Sequence, residues 1–314
     1  MSSVHALVRP ARADAPGPGP IPDQLLRALD ISIGRRIEGM LAGDYRSAVL
    51  GQGTELAQVR AYEPGDDVRQ IEWNVTARTG EPHVRVQLAE RVLVTWLVLD
   101  TSPSMVFGTA DRRKADVAEG AALAIGHVAS RRGNRLGVVT FGDRQPQALP
   151  PRQGRVGLIG LLTALRRESE AGAGDEGSRV GATSLGEAAR RTSALARQRA
   201  LVVIVSDFRG PLDWRRPLLE LAGRHDVVAV EVRDPREQEL PNAGDLWLVD
   251  PETGRQLRVD TRDSKLRARF AAAAAEERTG LRRTLASLGV RHTVLSTSGD
   301  WLRSLALFLK RGRR

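Results

Sequence analysis

The chain of 314 residues contains no cysteine. That excludes disulfides, thiolate nucleophiles and every cysteine-ligated zinc or iron–sulfur centre. Histidine is scarce too. His5, His83, His127, His225 and His292 are the five, no two of them stand four apart, and no His-Glu-x-x-His occurs. A zinc hydrolase of that type is excluded, and any metal site has to be built from oxygen, which favours Mg²⁺, Mn²⁺ or Ca²⁺. Aromatics are few, with 5 Trp, 2 Tyr and 5 Phe, so the core has to be mostly Val, Leu, Ile and Ala. No apolar run approaches the ~20 residues of a membrane-spanning helix. The longest runs, Val92 to Leu99 and Ala200 to Val205, are strand-sized. The N-terminus carries arginines but no apolar signal-peptide stretch, so the expectation is a soluble, cytoplasmic protein without a membrane span.

The usual signatures of catalysis are missing as well. No Gly-x-Ser-x-Gly surrounds Ser102 or Ser104. No Gly-Lys-Ser/Thr occurs, which removes the P-loop. No motif places His127 or His225 as a base. A non-enzymatic protein is expected.

What the chain has in excess is arginine. Lys and Arg total 48 against 38 Asp and Glu, a formal net charge of +10, and only Lys114, Lys265 and Lys310 are lysines. The arginines scatter over most expected helices, which reads first as a solvated surface. The rival is a nucleic-acid or acidic-lipid surface.

Three segments are expected. Residues 1–22, rich in Ala, Pro, Gly and Arg, form a disordered leader. Residues 23–91 hold an N-terminal helix and a small β-rich module. Leu25, Leu26, Leu29, Ile33, Ile37 and Met40 keep helical spacing up to Gly43. Val84, Val86 and Leu88 alternate with polar residues as a half-buried strand does. Residues 92–314 alternate apolar strands with helices. Strands are expected at Val92–Leu99, Leu136–Phe141, Leu201–Val205, Val227–Val232 and Val290–Leu295, with a hairpin around Asp250-Pro251-Glu252-Thr253-Gly254. Helices are expected near Arg113–Arg131, Val156–Arg167, Ser184–Arg197, Asp263–Leu288 and Trp301–Leu309. Continuous apolar strands between helices predict a mostly parallel sheet covered on both faces.

The first of these strands runs into Asp100-Thr101-Ser102-Pro103-Ser104. One carboxylate and two hydroxyls on a tight loop converge oxygens on a hard cation, and ligands of such sheets bind at the carboxyl ends of the strands. Thr183 precedes the helix at Ser184, and Asp207 follows the strand Leu201–Val205, so both belong to loops on the same side. An Asp/Ser turn with Ser104 as a helix cap is the plainer alternative.

In this arrangement the chain resembles the von Willebrand factor A fold. Its metal-ion-dependent adhesion site uses an Asp-x-Ser-x-Ser, a Thr and an Asp in that order, falling here on Asp100, Ser102, Ser104, Thr183 and Asp207. The run Tyr62-Glu63-Pro64-Gly65-Asp66-Asp67-Val68-Arg69-Gln70-Ile71-Glu72-Trp73, followed by Ala77-Arg78, is similar to the signature of the domain of unknown function 58 family. The resemblance covers roughly Leu41 to Leu309. It implies an α/β fold with a von Willebrand factor A-like, doubly wound, mostly parallel sheet, preceded by a small β-rich module. Many members of that family carry two N-terminal membrane helices, which are not expected in this sequence because no apolar run is long enough.

The resemblance further implies a metal-dependent protein-interaction module. It would bind Mg²⁺, or Mn²⁺ or Ca²⁺, whose shell an acidic partner residue completes. The implied partner is a MoxR-type AAA+ ATPase acting on a client protein in assembly or maturation. A metal-dependent hydrolase or phosphoesterase and a basic nucleic-acid-associated protein are the alternatives. In the upstream signature, Arg69, Arg78, Asp66 and Asp67 are expected to form a buried ion-pair lattice around Trp73, with partner binding as the other role.

Overall fold

The structure, a computed structural model, describes residues 55–88, 93–130, 134–142, 147–154, 156–157, 159–161, 184–210, 212–249 and 256–311. They fall into two units, one ending at Val92 and one resuming at Leu93, and each is described by itself.

In the smaller unit, β1 (Glu55–Ala61) pairs antiparallel with β2 (His83–Leu88), with a register shift between Leu56 and Gln58. The alternation at 83–88 is this second strand, with Val84 buried. A 3-10 turn at Val68–Gln70 and helix α1 (Trp73–Thr79) connect the strands. Asp67 and Glu72 start these two elements by accepting backbone N–H bonds from Arg69 and Asn74, as acceptor side chains do at helix starts.

The expected lattice around Trp73 is not there. Trp73 is 70% exposed. Among the described residues of this unit the ion pairs are Arg60 with Asp66, at 2.7 Å, and Arg85 with Glu72. The reason lies in how the chain enters α1. Ile71 bridges to Val84 and Glu72 is buried against Arg85, so the next side chain, Trp73, emerges on the outer side. Asp67 is occupied as a cap.

The larger unit begins with β3 (Val94–Asp100), followed by α2 (Lys114–Ala129), β4 (Arg135–Phe141) and β5 (Ala148–Gln153). Then come α3 (Leu185–Leu195), β6 (Leu201–Ser206), α4 (Arg215–Arg224) and β7 (Asp226–Arg233). The hairpin β8 (Asp245–Val249) and β9 (Gln256–Asp260) precedes α5 (Ser264–Ser287), β10 (Arg291–Ser296) and α6 (Trp301–Arg311). Six strands form one sheet in the order β10-β7-β6-β3-β4-β5. All neighbours are parallel except β5, which runs antiparallel to β4 at the edge.

Strands β3 and β6 lie inside this order, and every residue of both is buried. That is why their sequences are unbroken apolar runs rather than alternations. On one face Trp96 and Val98 pack with Leu185 and Ala189 of α3, Leu218 and Leu221 of α4, and Leu285 of α5. The other face is covered by α2, which contacts β3, β6, β7 and β10, and by α6, which packs on β10 and α2. The Trp96 ring leaves no room for a side chain on its neighbour in β4. A Cβ at Gly137 would stand 2.8 Å from it.

In the larger unit β5 and α4 were not expected from sequence, as α1 was not in the smaller one. β5 carries Pro150 and Pro151, and prolines are tolerated on an edge strand. α4 opens with Arg215-Arg216-Pro217, and a proline is harmless in a first turn because its missing N–H has no intrahelical partner there. The turn of the β8–β9 hairpin, most of the helix expected at Val156–Arg167, and the helix and leader expected before residue 55 lie outside the described residues.

Candidate metal centre

Asp100 ends β3 at the carboxyl edge of the sheet, between the ends of β6 and β4. Leu99 pairs with Val205 and Asp100 with Phe141. This register brings Ser206 beside it, and the Ser206 hydroxyl donates to Asp100 Oδ2 at 2.5 Å. On the other flank Thr101 donates both its N–H and its hydroxyl to the Phe141 carbonyl, each at 2.8 Å. The loop is therefore tied to both neighbouring strands. It also presses on β4's exit. Gly142 has φ +91°, and a Cβ there would stand 2.6 Å from the Ser102 nitrogen, so only glycine fits.

The Ser102 N–H donates to Asp100 Oδ1 at 3.0 Å, and Ser102 Oγ lies 3.0 Å from Ser104 Oγ. Ser104 is buried in the 3-10 turn Pro103–Val106, and its hydroxyl bonds Asp207. Asp207 follows β6, and its Oδ1 accepts the Arg209 N–H at 3.1 Å. Asp100, Ser102, Ser104 and Asp207 are thus brought together. Thr183 lies outside the described residues. The residue after it, Ser184, caps α3 by accepting the Glu187 N–H at 3.2 Å.

Sequence reasoning missed the centre of this crevice. Lys114, the first residue of α2, is fully buried, and its ammonium donates to Asp207 Oδ2 and to Glu237 Oε1, each at 2.6 Å. Glu237 belongs to a 3-10 turn, Pro235–Glu237, capped by Asp234. Asp234 is itself fully buried. It accepts from the Thr109 N–H (2.8 Å) and hydroxyl (2.6 Å), the Thr297 hydroxyl (2.7 Å) and the Arg236 N–H (2.9 Å). Loops after β3, β6, β7 and β10 are knit into one polar network. Two signals in the sequence pointed to it. Lys114 is one of three lysines in an arginine-rich chain, and a compact ammonium suits a closed site between two carboxylates better than a planar guanidinium. Asp234-Pro235-Arg236-Glu237 spells a capping box directly after an apolar strand.

The two aspartates are held in different states. Burial, and then the negative charge of Asp207, push the Asp100 carboxyl up to about 6 against the opposing hydrogen bonds of Ser102 and Ser206. Burial also acts to raise Asp207. The Lys114 ammonium, with the Ser104 hydroxyl and Arg209 N–H, outweighs it and holds Asp207 below the usual carboxylate range. Hydrogen bonds from Thr109 and Thr297 likewise keep Asp234 low despite its burial.

The donor set suits a hard divalent cation. The 3.0 Å between the two serine oxygens is close to the ~2.9 Å edge between adjacent oxygens of octahedral Mg²⁺ with ligands near 2.05 Å. Asp100, Asp207 and Glu237 against Lys114 and the half-exposed Arg209, 3.6 Å from Glu237, leave the group at a formal −1 when all are ionised. Among the described residues no three His, Asp or Glu side chains cluster as a metal cage, so a cation here depends on hydroxyls and water as well as carboxylate.

The sequence model of a protein family described as "Protein of unknown function DUF58" matches residues 58–280. The chain belongs to the DUF58 family. An uncharacterized protein of Mycobacterium tuberculosis is 42% identical over 289 residues, covering 92% of this chain and 89% of that one. The sheet order and flanking helices make the larger unit von Willebrand factor A-like. Solved structures similar to it include the conserved hypothetical protein BatB of Bacteroides thetaiotaomicron. That comparison gives a TM-score of 0.43 and 14% identity, covering 70% of this chain and 98% of that one. A von Willebrand factor type A protein of Catenulispora acidiphila aligns with a TM-score of 0.35 and 12% identity, covering 71% and 42%. In this DUF58 chain no helix among the described residues is long and apolar enough to cross a membrane.

Proposed function

We propose that this DUF58 protein is a non-enzymatic interaction module. Asp100, Ser102, Ser104, Thr183 and Asp207 hold Mg²⁺, with Mn²⁺ and Ca²⁺ as alternatives, and the site takes up an acidic side chain of another protein. The observation that carries the reading is the convergence of Asp100, the paired serine hydroxyls and Asp207 at one strand-end crevice. When bound, the cation supplies a Lewis-acidic position that a partner carboxylate can fill. The chain's own residues do the rest. Ser102 and Ser104 offer neutral oxygens, so less of the ion's charge is cancelled than an all-carboxylate shell would cancel. Lys114 holds Asp207 ionised and in place, and the network through Glu237 and Asp234 fixes the surrounding loops. In line with the family resemblance, the partner we propose is a MoxR-type AAA+ ATPase, with a client protein as the object of assembly or maturation.

The test is calorimetric titration with Mg²⁺ and Mn²⁺, followed by capture of the purified ATPase with metal and with EDTA. Wild type should bind metal, gain thermal stability from it, and retain the ATPase only with metal. Asp100→Ala should fold but lose all three. The same metal-induced rise in melting temperature in the variant would overturn the site assignment. Equal capture in EDTA would reduce the ion to a structural role.

A further inference from the structure

The positive charge of the larger unit is unevenly placed. Helices α3, α4 and α5, with the link from α3 to Arg199, carry 13 arginines and lysines against 4 glutamates. Helices α2 and α6, on the opposite face of the sheet, carry 4 against 2 acidic residues. The excess is gathered on one helical layer, and the metal reading makes no use of it.

The layer is regular. α3 leads into β6 and α4 leads out of it, so both run antiparallel to that strand and parallel to each other. The Ser184 hydroxyl before α3 bonds Asp213 just ahead of α4, which starts the two helices level. Arg190 therefore stands at the level of Leu219, and Leu195 at the level of Arg224. All four are exposed, whereas Ala189 and Leu218 face the core. Leu195 is 43% and Leu219 53% exposed. On α5, whose Leu285 packs into the same core, Arg282 and Arg283 are exposed. Arg216 pairs with Glu220 at 3.2 Å, but Arg190, Arg197 and Arg224 make no ion pair among the described residues.

We propose that this helical layer docks on an anionic lipid surface, with its arginines at the phosphates and Leu195 and Leu219 at the headgroup–acyl boundary. Guanidinium donors match phosphate oxygens, and each basic side chain near an anionic bilayer strengthens binding by roughly fivefold. The two leucines decide between polyanions. Apolar side chains set among arginines gain from entering a lipid interface and gain nothing from a phosphate chain in water. Nucleic acid also fits the shape poorly. No exposed residue of α3 or α4 is aromatic, so unpaired bases have no stacking platform. Helices side by side, about 8–10 Å apart, form a layer wider than the ~12 Å major groove, whereas a bilayer is broad and flat. The surface goes beyond the metal reading and uses none of its residues.

The full chain is sedimented in EDTA with vesicles of phosphatidylcholine, alone or with about 30% phosphatidylglycerol, at about 100 mM salt. It should partition onto the anionic vesicles and not onto the neutral ones. Arg190→Gln/Arg197→Gln/Arg224→Gln should weaken that partition by about tenfold or more. The charge-matched triple Arg69→Gln/Arg78→Gln/Arg303→Gln, exposed residues outside the layer, should weaken it by less than about threefold. Leu195→Gln/Leu219→Gln should weaken it by about fivefold at unchanged net charge. Melting temperatures monitor the folding of each variant, and exposed substitutions of this kind cost little. No partition onto anionic vesicles, or equal losses in the two arginine triples, would overturn the proposal. Partition unchanged in the leucine variant, together with tighter binding of a DNA duplex at equal phosphate concentration, would overturn it in favour of nucleic acid. Because free metal is absent throughout, failure of the metal reading leaves these outcomes intact.

Discussion

Lys114 is the residue on which the crevice depends. Its ammonium is the shared donor to Asp207 and Glu237, and a buried ion pair that loses one partner leaves an uncompensated charge. Lys114→Met should therefore destabilise the protein by about 3–5 kcal/mol, a fall in melting temperature on the order of 10 °C for a domain of this size. Melts in EDTA measure this without a bound metal, and a fall of less than about 2 °C would show that Asp207 and Glu237 are satisfied in another way.

His225, at the end of α4, differs from Lys114 in kind. It is buried, and neither ring nitrogen has a hydrogen-bond partner among the described residues. Burial, with the charges of Arg224 and Arg199, holds its pKa below the ordinary 6.5. The folded protein thus refuses a proton that the unfolded chain accepts. The stability this group contributes is complete above pH 6.5 and is lost as the pH falls from there toward the folded-state pKa. Melting temperatures at about pH 7.5 and about pH 5.5 should fall less in His225→Leu than in wild type. Parallel falls would assign the acid sensitivity to other groups.

At the scale of elements, α1 illustrates how a short helix divides its residues. Glu72 is buried and bonds both Arg85 and the Asn74 N–H, whereas Trp73, one position on, is 70% exposed. Removing an exposed ring costs little, so Trp73→Ala should change stability by less than about 1 kcal/mol. Denaturant unfolding checks this. A loss of the size that follows truncation of a core tryptophan, about 3–5 kcal/mol, would mean that the ring is covered in solution. The edge strand β5 makes a related point: proline lacks the N–H a further strand would pair with, and Pro150-Pro151 lie on the strand that ends the sheet among the described residues, which discourages edge-to-edge association.

For the whole molecule, the formal charge of +10 makes a salt-sensitive affinity for polyanions an expected background to the proposed metal-dependent interaction. Binding driven by phosphate neutralisation releases counterions and weakens steeply with salt, by about 10³-fold or more between ~50 and ~200 mM for six or more contacts. DNA retention should follow that trend and be unaffected by EDTA, while capture of a protein partner should be lost in EDTA at constant salt. Gel-shift titrations across both variables distinguish them. DNA binding that needs Mg²⁺ and survives 200 mM salt would move the function toward nucleic acid.

The sequence by itself determined the alternation of buried strands and helices, the two-sided sheet, and the placing of Asp100, Ser102, Ser104 and Asp207 at strand ends on one side. Each follows from local pattern. A doubly covered strand is continuously apolar, and parallel strands separated by helices put their carboxyl-end loops together. Only the tertiary structure decided what stands between those loops. Lys114 meets partners 93 and 123 residues away, and Thr109 meets Asp234 across 125. Such pairings depend on the order β10-β7-β6-β3-β4-β5, which the packing of helices on the two faces selects and no local periodicity records. The direction of Trp73 was hidden for the same reason. A residue at the start of a short helix points wherever its neighbours' contacts leave it, and those contacts, Ile71 to Val84 and Glu72 to Arg85, reach from the connection before α1 to strand β2.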